Sequence, residues 1–456
     1  MTILYSDKGG IIMLEDKLEK ENKILRGVRL KLFTTPEEED ILYMMIEGRE
    51  LAYNWATDRL WDNYTLYTIG ESNYKVLSKY SLNLEFTEYR SSDECDDPRL
   101  RDLHVGVARM AISDAVNSFI RWTRGLMFGN GKPRFHKVKR RAHKSYGLRS
   151  GRSFIENGKL HTESIGDLPQ LHIELGTNEF DGYGGELSKH GVTKLWYNVR
   201  IVKDTDGFYV GFTRPVERNT EIRNLPMTEP IGIDLGCRTT FQLSTEEFFN
   251  QPDVSDEEKR INGLNSVITK LYKHRKKRAR EKGIHVWEEP QSKTELTKIE
   301  LRNKAYKRMH NKIKQFYYAT INEIVKRNPE AIVIETIYVR KFLNQDIQKN
   351  IWKDVKQTYF CMIRYMFESK CNYYMIPLYE VEPNYPSSKI CNKCKAEHSN
   401  FGSEEIFVCP TCGYTINRDL NASFNLRDVY INQEKDNIKW WNGHGTKLIL
   451  KDKLTK

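Results

Sequence analysis

Three carboxylates in this chain of 456 residues sit where an ionised acid is unfavourable. Asp234 lies inside the apolar run IGIDLG (231–236), flanked by Gly232, Ile233, Leu235 and Gly236. Burying a carboxylate among Ile and Leu costs several kcal/mol unless a cation or hydrogen-bond donors compensate it. Glu335 ends AIVIE (331–335) in the same manner, and Asp419 stands in NRDLNAS (417–423), where Asn421 is read as the cap of the helix that follows. A single acid after a strand is more often a cap or an ion-pair partner. Three of them gathered by one sheet would supply the oxygen donors that magnesium prefers, and two such ions about 4 Å apart can clamp a phosphodiester for in-line attack by water.

The second group is Cys391-x2-Cys394-x14-Cys409-x2-Cys412, close to zinc-ribbon spacing. Two CxxC knuckles place four thiolates in tetrahedral reach, and Pro410 and Gly413 suit the turns around them. Four thiolates leave no open position for a catalytic water, so the spacing predicts a structural zinc. Cys95, Cys237, Cys361 and Cys371 are isolated and read as reduced, mostly buried thiols.

Charge points to a polyanionic partner. Lys and Arg number 73 against 62 acids, a formal net charge of +11. Lys132, Arg134, Lys137, Lys139, Arg140, Arg141, Lys144, Arg149 and Arg152 form one run without an acid. A second run, 270–282, carries Lys270, Lys273, Arg275, Lys276, Lys277, Arg278, Arg280 and Lys282 against Glu281 alone. Runs this dense self-repel unless phosphates neutralise them, and counterion release then favours binding. Phe135 and Tyr146 are either base-stacking platforms or core, and Arg418 either meets a phosphate or holds its acidic neighbours.

These residues need elements to position them. GVRLKLF (27–33) alternates as a half-buried strand, and Thr35-Pro36 before EEED opens a helix that runs through Trp55. Residues 65–100 read as irregular and tyrosine-rich. A helix over 101–124 presents Val105, Ala108, Ile112, Ala115, Val116 and Phe119 on one face. LHIEL follows, then LWYNVRIV and FYVGF joined as a hairpin through Asp204 to Gly207. Pro226 and Pro230 bracket a boundary. Beyond it, IGIDLG, FQLS, a charged helical region over about 257–327 broken near Pro290, AIVIE, a helix with Trp352, Val355, Tyr359, Ile363 and Met366 on one stripe, and a strand near 373–379 alternate as an α/β sheet domain does. The tail after Val429 is polar, basic and expected to be mobile. No run of eighteen apolar residues and no secretory leader is seen, which points to a cytoplasmic protein.

Pro386-Ser387-Ser388-Lys389, the two cysteine pairs and Arg418-Asp419-Leu420-Asn421-Ala422 resemble the C-terminal signature of the TnpB family, transposon-encoded RNA-guided nucleases related to the compact type V CRISPR effectors. GVRLKLFTTPEEE with AYNWA (52–56), GKPRF (131–135), GIDLG and IVIE are similar to further motifs of that family, so the resemblance extends from about 26 to 429. It implies a multidomain α+β protein. A flexible leader (1–25) would precede a β-barrel-like wedge and recognition region (26–225) with a helical insert at about 36–127. An RNase H-like (RuvC) α/β domain (226–429) would hold a zinc ribbon at about 388–414, followed by a basic mobile tail (430–456). It implies that Asp234, Glu335 and Asp419 are the magnesium-binding catalytic triad, that the cysteines hold zinc, and that the partners are a guide RNA and target double-stranded DNA. The resemblance leaves a CRISPR effector with separate guide RNAs, a guided repressor without cleavage and a cut-and-paste transposase as alternatives. Residues 283–296 match no motif of the family.

Overall fold

Alternation decides the first strand. In β1 (Lys23–Phe33), Leu30 and Leu32 are buried while Arg29 is exposed. The chain then enters α1 (Pro36–Thr68) through a capping box: the Glu38 N–H donates to Thr35 Oγ1 at 3.3 Å, and the Thr35 N–H donates to the Glu38 carboxylate at 2.8 Å. The computed structural model describes residues 3–5, 11–13, 22–68, 77–127, 145–147, 153–156, 159–162, 170–174, 187–188, 191–192, 197–237, 239–336, 359–382, 385–398, 404–432, 438–441 and 447–448. It divides into two compact units, residues 25–216 and residues 1–24 with 217–456.

In the first unit, α2 (Lys79–Ser91) and α3 (Pro98–Arg101) occupy much of the stretch expected to be irregular. The missed signal is local: Ser78 caps α2 by accepting from the Ser81 N–H at 3.0 Å, and Leu82 and Phe86, four residues apart, bury its face. In α4 (Val105–Met127) the buried face is Val107, Ala108, Ala111, Ile112, Ala115, Val116 and Phe119. Val105, expected on that face, is exposed because the helix begins there. Strands β2 (Ser145–Gly147), β3 (Ser153–Glu156), β4 (Lys159–Thr162), β5 (Gln170–Glu174), β6 (Tyr197–Asp204) and β7 (Gly207–Glu217) join β1 in a seven-stranded sheet of order β2-β6-β7-β1-β5-β4-β3. The β6–β7 hairpin closes with Asp204 opposite Gly207, as its turn residues require.

The second unit is built on β8 (Ile231–Asp234), β9 (Phe241–Leu243), β10 (Phe248–Phe249), β11 (Ile332–Glu335) and β12 (Leu378–Val381). β8, β11 and β12 are parallel neighbours, and β9 runs antiparallel to β8. Between β10 and β11 run two long helices, α5 (Ser255–Glu281) and α6 (Lys293–Lys326), whose Ile261, Ile313, Tyr317, Ile321 and Ile324 enter the same core as Ile233 and Ile334. α7 (Phe360–Tyr374) precedes β12. The strand expected near 373–379 starts later because α7 continues through Tyr374 and ends on Met375 with φ +59°. Two short strands, β13 (Ile406–Val408) and β14 (Thr415–Asn417), lead into α8 (Arg418–Ile431).

The tail read as mobile contributes two strands: β15 (Ile438–Trp441) pairs antiparallel with β12, and β16 (Lys447–Leu448) pairs with β15. IKWW is a strand-forming segment inside a polar tail, and the tail's average composition hid it. The leader's Ile3–Tyr5 and Ile11–Met13 form a ladder of their own. Among the described residues no helix is long and apolar enough to cross a membrane. All nine basic residues of the 132–152 run, Phe135, Trp352 and Val355 lie outside the described residues.

Candidate active site and metal centre

Parallel pairing brings two of the three acids together. Ile231 to Ile233 of β8 stand opposite Ile332 to Ile334 of β11, and one step further along this register Asp234 meets Glu335 at the carboxyl ends of both strands. Their side chains share a hydrogen bond, and the Leu235 N–H donates to Glu335 Oε1 at 3.2 Å.

Asp419 arrives from α8. Asn417 Oδ1 caps that helix, accepting from the N–H groups of Asp419 at 2.9 Å and Leu420 at 3.1 Å. The cap is therefore Asn417 and not Asn421, which lies a turn further on and is fully buried. α8 packs directly on β8 at Gly232, where an added Cβ would stand 2.1 Å from the Ser423 carbonyl oxygen and 2.5 Å from the Arg427 nitrogen. Gly232 lets helix backbone lie on strand backbone, and so brings Asp419 near Asp234. Arg418 turns onto Asp419, with Nη2 at 3.1 Å from Oδ1, which is the second of the two roles read for it.

The electrostatics follow. Burial, then the charges of Glu335 and Asp419, push the Asp234 carboxyl well above the ordinary carboxylate range, with Arg418 opposing. Burial pushes Glu335 up to about 7, against the Leu235 N–H and the Asp234 hydrogen bond. Asp234 and Glu335 are hydrogen-bonded neighbours with the charge of Asp419 near them, whereas among the described residues only the cysteines bring their ligand atoms all within 4.8 Å of one another. A divalent cation of oxygen-donor preference would offset the charge of the three carboxyls.

The four cysteines converge separately. Their sulfur atoms lie within 4.8 Å of one another, with Cys391–Cys412 at 3.7 Å and Cys394–Cys409 at 3.6 Å. A tetrahedral Zn–S₄ centre with bonds of about 2.3 Å has sulfurs roughly 3.8 Å apart, so the donor set fits zinc. The knuckles repeat each other. The Lys395 and Gly413 N–H groups donate to the Cys391 and Cys409 carbonyls at 2.8 and 2.9 Å, and the Cys391 and Cys409 N–H groups donate to the Ala396 and Tyr414 carbonyls at 2.9 and 2.8 Å. Lys395 and Gly413 both have positive φ, +60° and +68°. Against burial, the Cys412 and Thr411 N–H groups help bring Cys409 down to about 6. His398, which the spacing does not announce, places Nε2 at 3.3 Å from Cys409 Sγ.

The second basic run divides by role. Arg275 is largely buried and pairs with Glu295 at 3.2 Å, while Arg278 and Lys282 hold the buried Glu289 at 3.0 and 2.8 Å. These bonds use the segment 283–296 to close the α5–α6 hairpin, whereas Lys270, Lys273, Lys276 and Lys277 face solvent. Tyr146 is buried in the core of the first unit, and not a stacking platform.

A family model of the Cas12f1-like TNB domain matches residues 360–426, which hold the cysteines and Asp419. A TnpB-like protein of Aquifex aeolicus (strain VF5) is 44% identical over 54 residues, 11% of this chain and 17% of that protein. A protein of Streptomyces pristinaespiralis, named as a candidate RNA-guided DNA endonuclease, is 25% identical over 202 residues, 44% of each chain. The chain thus spans less than half the length of these two relatives. Among solved structures, a Cas12f1–sgRNA–target DNA complex aligns over 89% of this chain and 99% of its own at 14% identity and a TM-score of 0.48. The segment that carries the thiolates and the third acid is thus similar to the Cas12f1-like TNB domain, and parts of the chain are similar to a TnpB-like protein and to the Streptomyces protein.

Proposed function

We propose that this protein is an RNA-guided DNA endonuclease whose RuvC-like site hydrolyses phosphodiester bonds with magnesium. One observation carries the reading: two buried carboxyls, Asp234 and Glu335, stand at the ends of adjacent parallel strands with raised proton affinity, and a third, Asp419, begins a helix packed against the first strand. Asp234, Glu335 and Asp419 would hold the ion, which when bound would neutralise charge on the scissile phosphate and render a water nucleophilic. The chain's own residues do the positioning. Strand ends fix Asp234 and Glu335, the Leu235 N–H orients Glu335, Asn417 caps the start of α8, Gly232 seats the helix at Ser423 and Arg427, and Arg418 turns onto Asp419. The thiolate centre would hold structural zinc.

On this reading the sheet and helices of residues 26–225 form the wedge and recognition region, and residues 226–429 form the nuclease domain with its zinc ribbon. Guide RNA pairing would select the target strand, and the protein would read a short flanking DNA motif. Lys270, Lys273, Lys276 and Lys277, all exposed, would meet backbone phosphate. The resemblance to the TnpB family and the name of the Streptomyces relative support this assignment of partners. The test is to sequence the RNA that copurifies with the full chain and then supply duplex DNA matching it, with magnesium. Cleavage that Asp234→Ala abolishes while RNA binding persists is expected. Full cutting by that variant, or activity on DNA ends without RNA, would overturn the proposal.

A further inference from the structure

Helix α8 is gripped on two sides. Its Ala422, Ser423 and Leu426 are buried, and the helix lies against β8 at Gly232. Its other face, Asn421, Asn425 and Asp428, is bonded throughout to the first cysteine knuckle and the segment leading into it. Asn421 Nδ2 donates to the Ile390 carbonyl at 2.7 Å, and its Oδ1 accepts from the Asn392 N–H at 2.9 Å. Asn425 Nδ2 donates to the carbonyls of Ile390 at 2.7 Å and Ser387 at 2.8 Å. Asn392 Nδ2 donates to Asn425 Oδ1 at 3.1 Å and Asp428 Oδ2 at 2.8 Å, and Lys395 Nζ reaches Asp428 at 2.7 Å. Asn421 is 0% and Asn425 1% exposed, so the bonds of these two side chains are largely shielded from water.

We infer that Asn421 and Asn425 are positioning residues that couple the four-thiolate centre to Asp419, so that metal held by the cysteines fixes the carboxylate site. Asn392 stands between Cys391 and Cys394, and the knuckle keeps its conformation only while its thiolates are gathered. Asn421 is two residues from Asp419, within the first turn of α8. Loosening the knuckle removes one of the two surfaces that hold this turn. The inference rests on the proposed role of Asp419. Partners behind a ligand commonly change metal affinity about 10–100-fold when lost.

The test uses the full chain and two readouts other than cleavage: amide hydrogen exchange of residues 418–422, and Mn²⁺ affinity measured calorimetrically. Asn421→Ala is expected to keep one equivalent of zinc, raise exchange in that turn and weaken Mn²⁺ binding by about tenfold or more. Asn392→Ala changes no atom of α8 and serves if Asn421→Ala does not fold. It and zinc-stripped wild type are expected to show the same faster exchange. Unchanged exchange and unchanged Mn²⁺ affinity in Asn392→Ala and in stripped protein would overturn the coupling. If wild type bound no Mn²⁺ at the carboxyls, the proposed function would fall, and the exchange comparison would still decide whether the thiolate centre holds α8.

Discussion

Replacing Asp234 by asparagine separates a metal-binding carboxyl from a structural one, because the two roles change stability in opposite directions. A structural acid loses its partner on neutralisation, and breaking a buried pair costs about 3–5 kcal/mol. Asp234 instead faces Glu335 and Asp419, and burial with their charges disfavours its ionised form. For Glu335 itself the rise from 4.5 to about 7 corresponds to roughly 3 kcal/mol against ionisation, at about 1.4 kcal/mol per unit, and Asp234 is shifted in the same direction. An acid raised on folding binds more protons in the native state, so metal-free stability falls as pH climbs from about 4.5 through about 7. An asparagine amide donates to Glu335 at every pH and removes one charge. Metal-free Asp234→Asn should therefore match wild type near pH 4.5 and exceed it at pH 8 by about 1–3 kcal/mol, a rise of roughly 2–4 °C in Tm per kcal/mol. Magnesium should stabilise wild type at pH 8 and leave the variant unmoved. Calorimetric scans at both pH values, with and without magnesium, read this out. A variant less stable than wild type by 2 kcal/mol or more at pH 8 without metal would refute the reasoning.

Gly232→Ala should destabilise the protein by roughly 1–3 kcal/mol and abolish cleavage, because its Cβ meets the α8 backbone; denaturant titration and a cleavage assay check both. Arg275→Ala should cost about 3–5 kcal/mol by stranding Glu295, with Lys276→Ala neutral in stability but weaker in nucleic-acid binding and lower in salt slope. Tyr146→Phe should be neutral or stabilising in thermal scans, since the buried hydroxyl has no hydrogen-bond partner among the described residues. Chelating zinc should lower Tm by several degrees, and restoring one equivalent should recover it.

What was legible in the sequence follows from how local the cause is. Asp234 and Glu335 announce themselves by interrupting apolar strands, and the cysteines by a spacing that few other structures need. The same reasoning placed the cap of α8 on Asn421, although Asn417 stands directly before the first helical residue and is the better site by position alone. Asn421 is polar in the helix interior because of Ile390 and Asn392, about thirty residues earlier, a pairing that no window of sequence displays. Gly232 read as part of a strand, and only the approach of α8 gives it a reason. The basic residues of α5 looked alike, yet Arg275 and Arg278 close a hairpin through acids in a segment that had no evident motif.

The central claim is that Asp234, Glu335 and Asp419 share divalent ions. Anomalous diffraction at the manganese edge, from crystals soaked in Mn²⁺, tests it directly. Density is expected between these three side chains, distinct from a zinc-edge peak among the four cysteines. Manganese bound elsewhere, with nothing between the carboxyls, would contradict the account.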